Sequence, residues 1–181
     1  MNNGSVSASP CYRSAPSATG SLCDYEFEGP SAEDAEAIAE LIASCPPLDP
    51  NSLYCNLLQA THFSGTCIKA ERGGRLDGWI SGYRPPDDPE AMFVWQVAVH
   101  ERARGQGLGA TMLDTLFSRP AVVGARRLIT TVTPSNGASR CLFAAFARKR
   151  RANIDVRPWF DRERHFGGRH ESEELISIGP F

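Results

Sequence analysis

No apolar stretch in this chain approaches the roughly 18 residues that a membrane-spanning helix needs. A helical membrane protein is excluded on that reading, and no membrane partner is expected. Charge of one sign is scarce as well: 19 Lys and Arg against 21 Asp and Glu leave a net charge of -2. A general nucleic-acid binder would be strongly basic, so no nucleic-acid partner is expected. Metal-ligand spacing is missing. The six cysteines (Cys11, Cys23, Cys45, Cys55, Cys67 and Cys141) contain no CxxC pair, and none stands near a histidine at zinc spacing. No metal is expected. The N-terminus carries one arginine, Arg13, and no apolar run, so a secretory signal is not expected. The cysteines then read as reduced thiols of a cytoplasmic protein.

What is present is ordinary globular material, 41% hydrophobic and 22% charged, in 181 residues that suit one domain. Residues 1–24 are dominated by Ser, Ala, Pro, Gly and Asn, and read as a disordered tail. Residues 25–181 read as the folded domain. In "SAEDAEAIAELIASCPP", Ser31 and Asp34 have capping-box spacing. Ala35, Ile38, Leu41 and Ile42 share one helical face, and Pro46 and Pro47 stop the helix. Asn51 or Ser52 caps a short helix carrying Leu53, Leu57 and Leu58. "TCIKAE" and "LDGWISGY" flank Arg72-Gly73-Gly74-Arg75 as a hairpin. "MFVWQVAV" is so apolar that it predicts a strand buried on both faces. Leu108, Met112, Leu113, Leu116 and Phe117 recur at helical spacing up to Arg119-Pro120. "RLITTVT" is a strand, "SNGASRCLFAAFARKR" a helix capped by Ser135 or Asn136, and "ELISIG" a last strand. The order is helix, helix, three strands, helix, strand, helix, strand. That is an α/β (α+β) fold, a mixed central sheet flanked by helices.

Between the apolar strand and the helix at Leu108 stands "HERARGQGLG". A helix start exposes unpaired N–H groups and partial positive charge, and glycines let an anion approach them. Arg104 adds a charge-assisted donor. The pattern therefore reads as a phosphate cradle, with a purely structural glycine turn as the alternative. Gly105-x-Gly107-x-x-Ala110 formally fits a dinucleotide fingerprint. However, His100 to Arg104 separate it from the strand, and Ala125 to Thr131 supply none of the acid expected about 20 residues on. A P-loop is absent.

Arg104-x-x-Gly107-x-Gly109 resembles the pyrophosphate loop of the GCN5-related N-acetyltransferases. The resemblance implies that acetyl-CoA is the co-substrate. Its pantetheine arm would lie along Val97, Ala98 and Val99. Its pyrophosphate would lie on Arg104, Gly105, Gln106, Gly107, Leu108, Gly109 and Ala110, with Asn136 at the next helix start. Longer stretches, "PPLDPNSLYCNLL", "HFSGTC", "ISGYRPPDDPEAMFVWQVAVH", "TTVTPSN", "HFGGRHE" and "IGPF", resemble the diaminobutyrate acetyltransferases of ectoine biosynthesis. That branch implies acetylation of the 4-amino group of L-2,4-diaminobutyrate, a product that is cyclised to the osmolyte ectoine, and a homodimer.

Thioester aminolysis needs a neutral amine, an oxyanion donor and a proton for the thiolate. Phe143 stands where the wider family often places a tyrosine that protonates the thiolate, so that role does not carry over. Ile129 stands where a relative's strand would offer an acid. Cys141 sits in an apolar helix and reads as packing. Tyr54 and His170 are the candidate catalytic groups; the plain alternative for Tyr54 is half-buried packing. Asp49 is the candidate for the substrate ammonium, or simply starts a turn before Pro50. Trp95 either walls the pocket, binds substrate through its backbone, or is core. His165, His170 and Glu171, around Gly167-Gly168, form a pocket loop or a polar surface loop, with His170 and Glu171 ahead of His165. The run Arg148-Lys149-Arg150-Arg151 reads as a solvated helix end or as an attractor of coenzyme phosphates. A peptide N-acetyltransferase and a non-catalytic CoA-binding regulator are the competing functions.

Overall fold

The structure, a computed structural model, describes residues 21–181. The disordered tail expected over 1–24 lies outside the described residues as far as residue 20. Residues Leu22–Asp24 form a single 3-10 turn, capped by Ser21.

Seven strands form one sheet: β1 (Glu26–Glu28), β2 (Ile68–Arg72), β3 (Arg75–Tyr83), β4 (Ala91–Val99), β5 (Arg127–Val132), β6 (Ile154–Phe160) and β7 (Glu173–Ile178). Their order is β1-β2-β3-β4-β5-β7-β6. All neighbours are antiparallel except β4 and β5. Among the described residues there are four α-helices: α1 (Ala35–Ala43), α2 (Leu53–Thr61), α3 (Leu108–Ser118) and α4 (Gly137–Arg150).

The local signals act as their chemistry dictates. The Ser31 N–H donates to Asp34 Oδ2 at 2.7 Å, and a 3-10 turn then leads into α1. α1 buries Ala35, Ile38, Leu41 and Ile42. α3 buries Leu108, Met112, Leu113, Leu116 and Phe117. Gly73 and Gly74 take φ of +59° and +71°, the left-handed pair that a two-residue hairpin requires. Asn136 caps α4 by accepting the Ser139 N–H at 3.0 Å.

Side chains of α1 pack on Trp79 and Ala98 on one face of the sheet. On the other face α3 and α4 close a larger core around Met92, Leu128 and Ile178.

Four expectations need correction. β1 and β6 were not anticipated, because Glu-Phe-Glu is too short, and Asp155, Arg157 and Pro158 interrupt the apolar pattern of β6. α2 forms, capped by Ser52 Oγ at 3.1 Å from Cys55 N, but it is turned over. It buries Asn56, Gln59 and Ala60 and leaves Leu53 and Tyr54 exposed. β4 is not buried on both faces: Phe93, Val97 and Val99 are half-buried and Trp95 is 45% exposed.

Candidate active site

Two irregularities in β4 make the site. Ser81 pairs with Gln96 but Gly82 pairs with Val94, so Trp95 is an extra, bulged residue with no partner across from it. Gly82 permits this, because a Cβ there would stand 2.4 Å from the Phe93 carbonyl oxygen. On its other side β4 pairs with β5 only at Ala91, Met92 and Phe93. Beyond Phe93 the two strands part, and a cavity of about 910 Å³ opens along the gap. Val97, Thr131, Asn136, Ser139 and Phe143 line it where β5 leads to α4.

At the far end of β4 the chain turns into α3 through the glycine stretch. Gly105 and Gly107 have φ of +75° and +83°. The first N–H of α3 to find a main-chain acceptor in the turn is that of Thr111, which donates to Gly107 O at 3.0 Å. The N–H groups of Leu108, Gly109 and Ala110 precede it, in the position that holds anions. A Cβ on Gly109 would lie 3.6 Å from Val99 and from Leu142, so this turn sits between the end of β4 and α4. Arg104 is exposed, and its Nε donates to Val99 O at 2.9 Å. An extended phosphorylated thioester fits this arrangement: a gap between parallel strands for the arm, and a helix start for the phosphates.

The turn rests on a buried carboxylate. Asp77 is fully buried and takes 2.8 Å and 2.6 Å bonds from Tyr25 Oη and Arg102 Nε. Its carbonyl accepts the His100 N–H at 2.9 Å, and Gln106 Nε2 donates to Arg102 O at 3.0 Å. Burial pushes the Asp77 carboxyl up, but the Tyr25 hydroxyl and the Arg102 guanidinium outweigh it and hold it below the usual carboxylate range. Burial, with the bond to Asp77, pushes the Tyr25 hydroxyl up to about 12.

The other arm of the cavity passes Trp95, Asp49 and His170. His170 Nε2 lies 3.0 Å from Asp49 Oδ2, while its Nδ1 lies 2.7 Å from Glu171 O. Phe166 packs against the imidazole with ring centroids 4.7 Å apart. Tyr83 stands between Phe93 and Trp95 as an aromatic wall.

Of the sequence-derived site residues, the fold brings Asp49, Trp95, Val97, Asn136 and His170 to one cavity. It places others elsewhere. Tyr54 is 69% exposed on the outer side of α2 and does not line the cavity, because α2 turns its polar face inward. His165 Nδ1 accepts the Asp161 N–H at 2.7 Å and holds the 161–165 turn together. Glu171 accepts from Ser135 Oγ at 3.0 Å and does not line the cavity, whereas Glu173 does. Ala98 has its side chain in the α1 core, so only its backbone can face the gap. Gln96 and Glu173 were missed. Gln96 stands as a lone polar residue within an apolar strand, and that break in pattern was the available signal.

The acetyltransferase (GNAT) family model matches residues 35–147. The L-2,4-diaminobutyric acid acetyltransferase of Methylotuvimicrobium alcaliphilum is 50% identical over 84% of this chain and 88% of its own length. That of Bordetella parapertussis is 48% identical over 87% and 85%. Among solved structures, diaminobutyrate acetyltransferase EctA from Paenibacillus lautus, in complex with its substrate L-2,4-diaminobutyric acid and coenzyme A, superposes with a TM-score of 0.83. It is 41% identical, covering 86% of this chain and 95% of its own. With a parted β4–β5 pair, a glycine turn at the start of α3 and relatives this similar over most of its length, the chain belongs to the GNAT acetyltransferase family, among the L-2,4-diaminobutyric acid acetyltransferases.

Proposed function

We propose that this protein transfers the acetyl group of acetyl-CoA to the 4-amino group of L-2,4-diaminobutyrate by direct attack in a ternary complex. The product, N4-acetyl-L-2,4-diaminobutyrate, is the compound that ectoine biosynthesis cyclises. The observation that carries the reading is one continuous cavity, reaching from the β4–β5 gap to the Asp49–His170 pair. Residues 25–181 are the acetyltransferase domain.

In this reading the thioester lies along Val97 to Val99, and the phosphates meet Arg104 and the glycine turn through Ala110. Asp49 receives the ammonium. His170 fixes the Asp49 carboxylate, and this pair exchanges the amine proton. The neutral nitrogen then attacks the thioester carbonyl, the C–N bond forms, the C–S bond breaks, and coenzyme A leaves as a thiolate that takes up a proton. The ammonium gives up two protons in all, one to the Asp49–His170 pair before attack and one from the nitrogen as the amide forms; the thiolate takes up one and the other passes to solvent. Phe143 lines the cavity but has no proton to give.

We also assign the protein to the cytoplasm and to a homodimer. The first is supported by the free thiols of Cys23, Cys45, Cys55 and Cys67. The second is supported by the apolar side chains exposed along the edge strand β6.

The test is thiol release from acetyl-CoA with L-2,4-diaminobutyrate, followed by NMR of the product. Release with the acetyl group on the 4-nitrogen is expected. Acetyl on the 2-nitrogen, or no release at all, overturns the assignment.

A further inference from the structure

We propose that Gln96 and Asn51 are positioning residues that set the affinity for the amine substrate by clamping the Asp49 loop to β4; this rests on the diaminobutyrate reading above. Gln96 is buried beside the bulged Trp95 and uses both ends of its amide. Its Nε2 donates to Asp49 O at 2.8 Å, and its Oε1 accepts from Asn51 Nδ2 at 2.7 Å. Asn51 Nδ2 also reaches Asn56 Oδ1 at 3.2 Å, which ties the loop to the first turns of α2. Cys45 Sγ bonds to Val99 O at 3.4 Å near the start of the loop between α1 and α2, and Gln96 ties its Asp49 end to β4, directly behind the carboxylate that meets His170.

This polar layer is poorly explained as a device for stability. Asn56 and Gln59 face inward while Leu53 and Tyr54 stay outside. Asn56 Nδ2, Gln59 Oε1 and Ser81 Oγ have no hydrogen-bond partner among the described residues. An apolar inner face on α2 would avoid that cost. Rules of burial are broken where a site demands it, and here the break leads to Asp49. A displaced Asp49 carboxylate would misplace the amine, while the gap that takes acetyl-CoA would be untouched.

The test is steady-state kinetics on the full chain. Gln96→Leu keeps the volume and removes both bonds. Its KM for L-2,4-diaminobutyrate should rise on the order of tenfold or more, since an ångström of misplacement is costly. Its KM for acetyl-CoA should stay within about twofold, the span left to a site whose own contacts are intact. Asn51→Ala should shift the same KM in the same direction by less. The double variant should fall short of the product of the two effects, because both act through one clamp. An unchanged KM for diaminobutyrate in both variants, or an equal rise in both KM values, overturns the proposal. If Gln96→Leu does not fold, Asn51→Ala alone decides. Hydrogen exchange over residues 48–52 reads the clamp independently of turnover: faster exchange is expected in either variant, and unchanged protection overturns the clamp. Wild-type protein that does not acetylate diaminobutyrate overturns the substrate reading instead, and the exchange result then stands by itself.

Discussion

Asp77 shows how much one side chain can organise. It is buried among Tyr25, Arg102, Arg72 and Arg75, and through Arg102 and His100 it shapes the turn that leads to the glycines. Its carboxyl is held below the usual range on folding, so its contribution to stability is full above the unfolded carboxylate value. That contribution is lost as pH falls through the folded value. Asp77→Asn should lower the unfolding free energy at pH 7 by about 3–5 kcal/mol, the cost of breaking a buried pair. Urea melts at pH 7 and pH 3 check this: the gap between wild type and variant should shrink at the lower pH. An equal gap at both pH values would remove Asp77 from this role. Other charges turn out to be occupied in the same way. Lys149 Nζ lies 2.6 Å from Asp114, and Arg150 sits within the rings of Phe117, Phe146 and Phe181. Part of the basic run that looked free for phosphates is therefore committed to packing α4 on α3.

Among the elements, the junction of β4 and α3 is where the proposed reading puts the coenzyme phosphates. Gly107 caps α3 in the left-handed region, at φ +83°, and among the described residues only Leu22 stands near its missing Cβ. Gly107→Glu therefore meets open space but an unfavourable backbone, which costs about 1–2 kcal/mol, and it places a carboxylate at an anion-binding helix start. Calorimetry should show acetyl-CoA binding weakened by at least about tenfold, equal to 1.4 kcal/mol, with the thermal transition still cooperative. Unchanged affinity would sink the pyrophosphate assignment. This junction was legible in the sequence because its chemistry is local: an apolar strand, an arginine and three glycines within a dozen residues. The substrate side was only half legible. Asp49, Trp95 and His170 could be named as candidates that share the cavity, but nothing local says that α2 presents its polar face and leaves Tyr54 exposed.

For the whole molecule, the sheet is two halves joined by three residue pairs between β4 and β5. β6 closes the outer edge, and all seven of its residues are exposed, including Ile154, Val156, Trp159 and Phe160. An uncovered edge strand with apolar side chains is a template for another strand. The homodimer proposed above gives a definite expectation. Sedimentation equilibrium at micromolar concentration should return twice the 19.7 kDa of one chain, and Val156→Lys should shift it toward the single-chain mass. A single-chain mass for the wild type would end the dimer proposal.

The sequence by itself determined the elements whose stability is local. The Ser31–Asp34 capping box, the buried face of α1, the five buried positions of α3, the Gly73-Gly74 turn and the Asn136 cap all depend on residues within a few positions of one another. Only the tertiary structure decided which way α2 faces, that Trp95 bulges from β4, and that Gln96 reaches across to Asp49. It also decided that Asp49 meets His170 rather than Glu171. Periodicity tells which face of an element is apolar. It does not tell what will cover that face, and a hydrogen bond between residues far apart in the chain exists only after the sheet has brought them together.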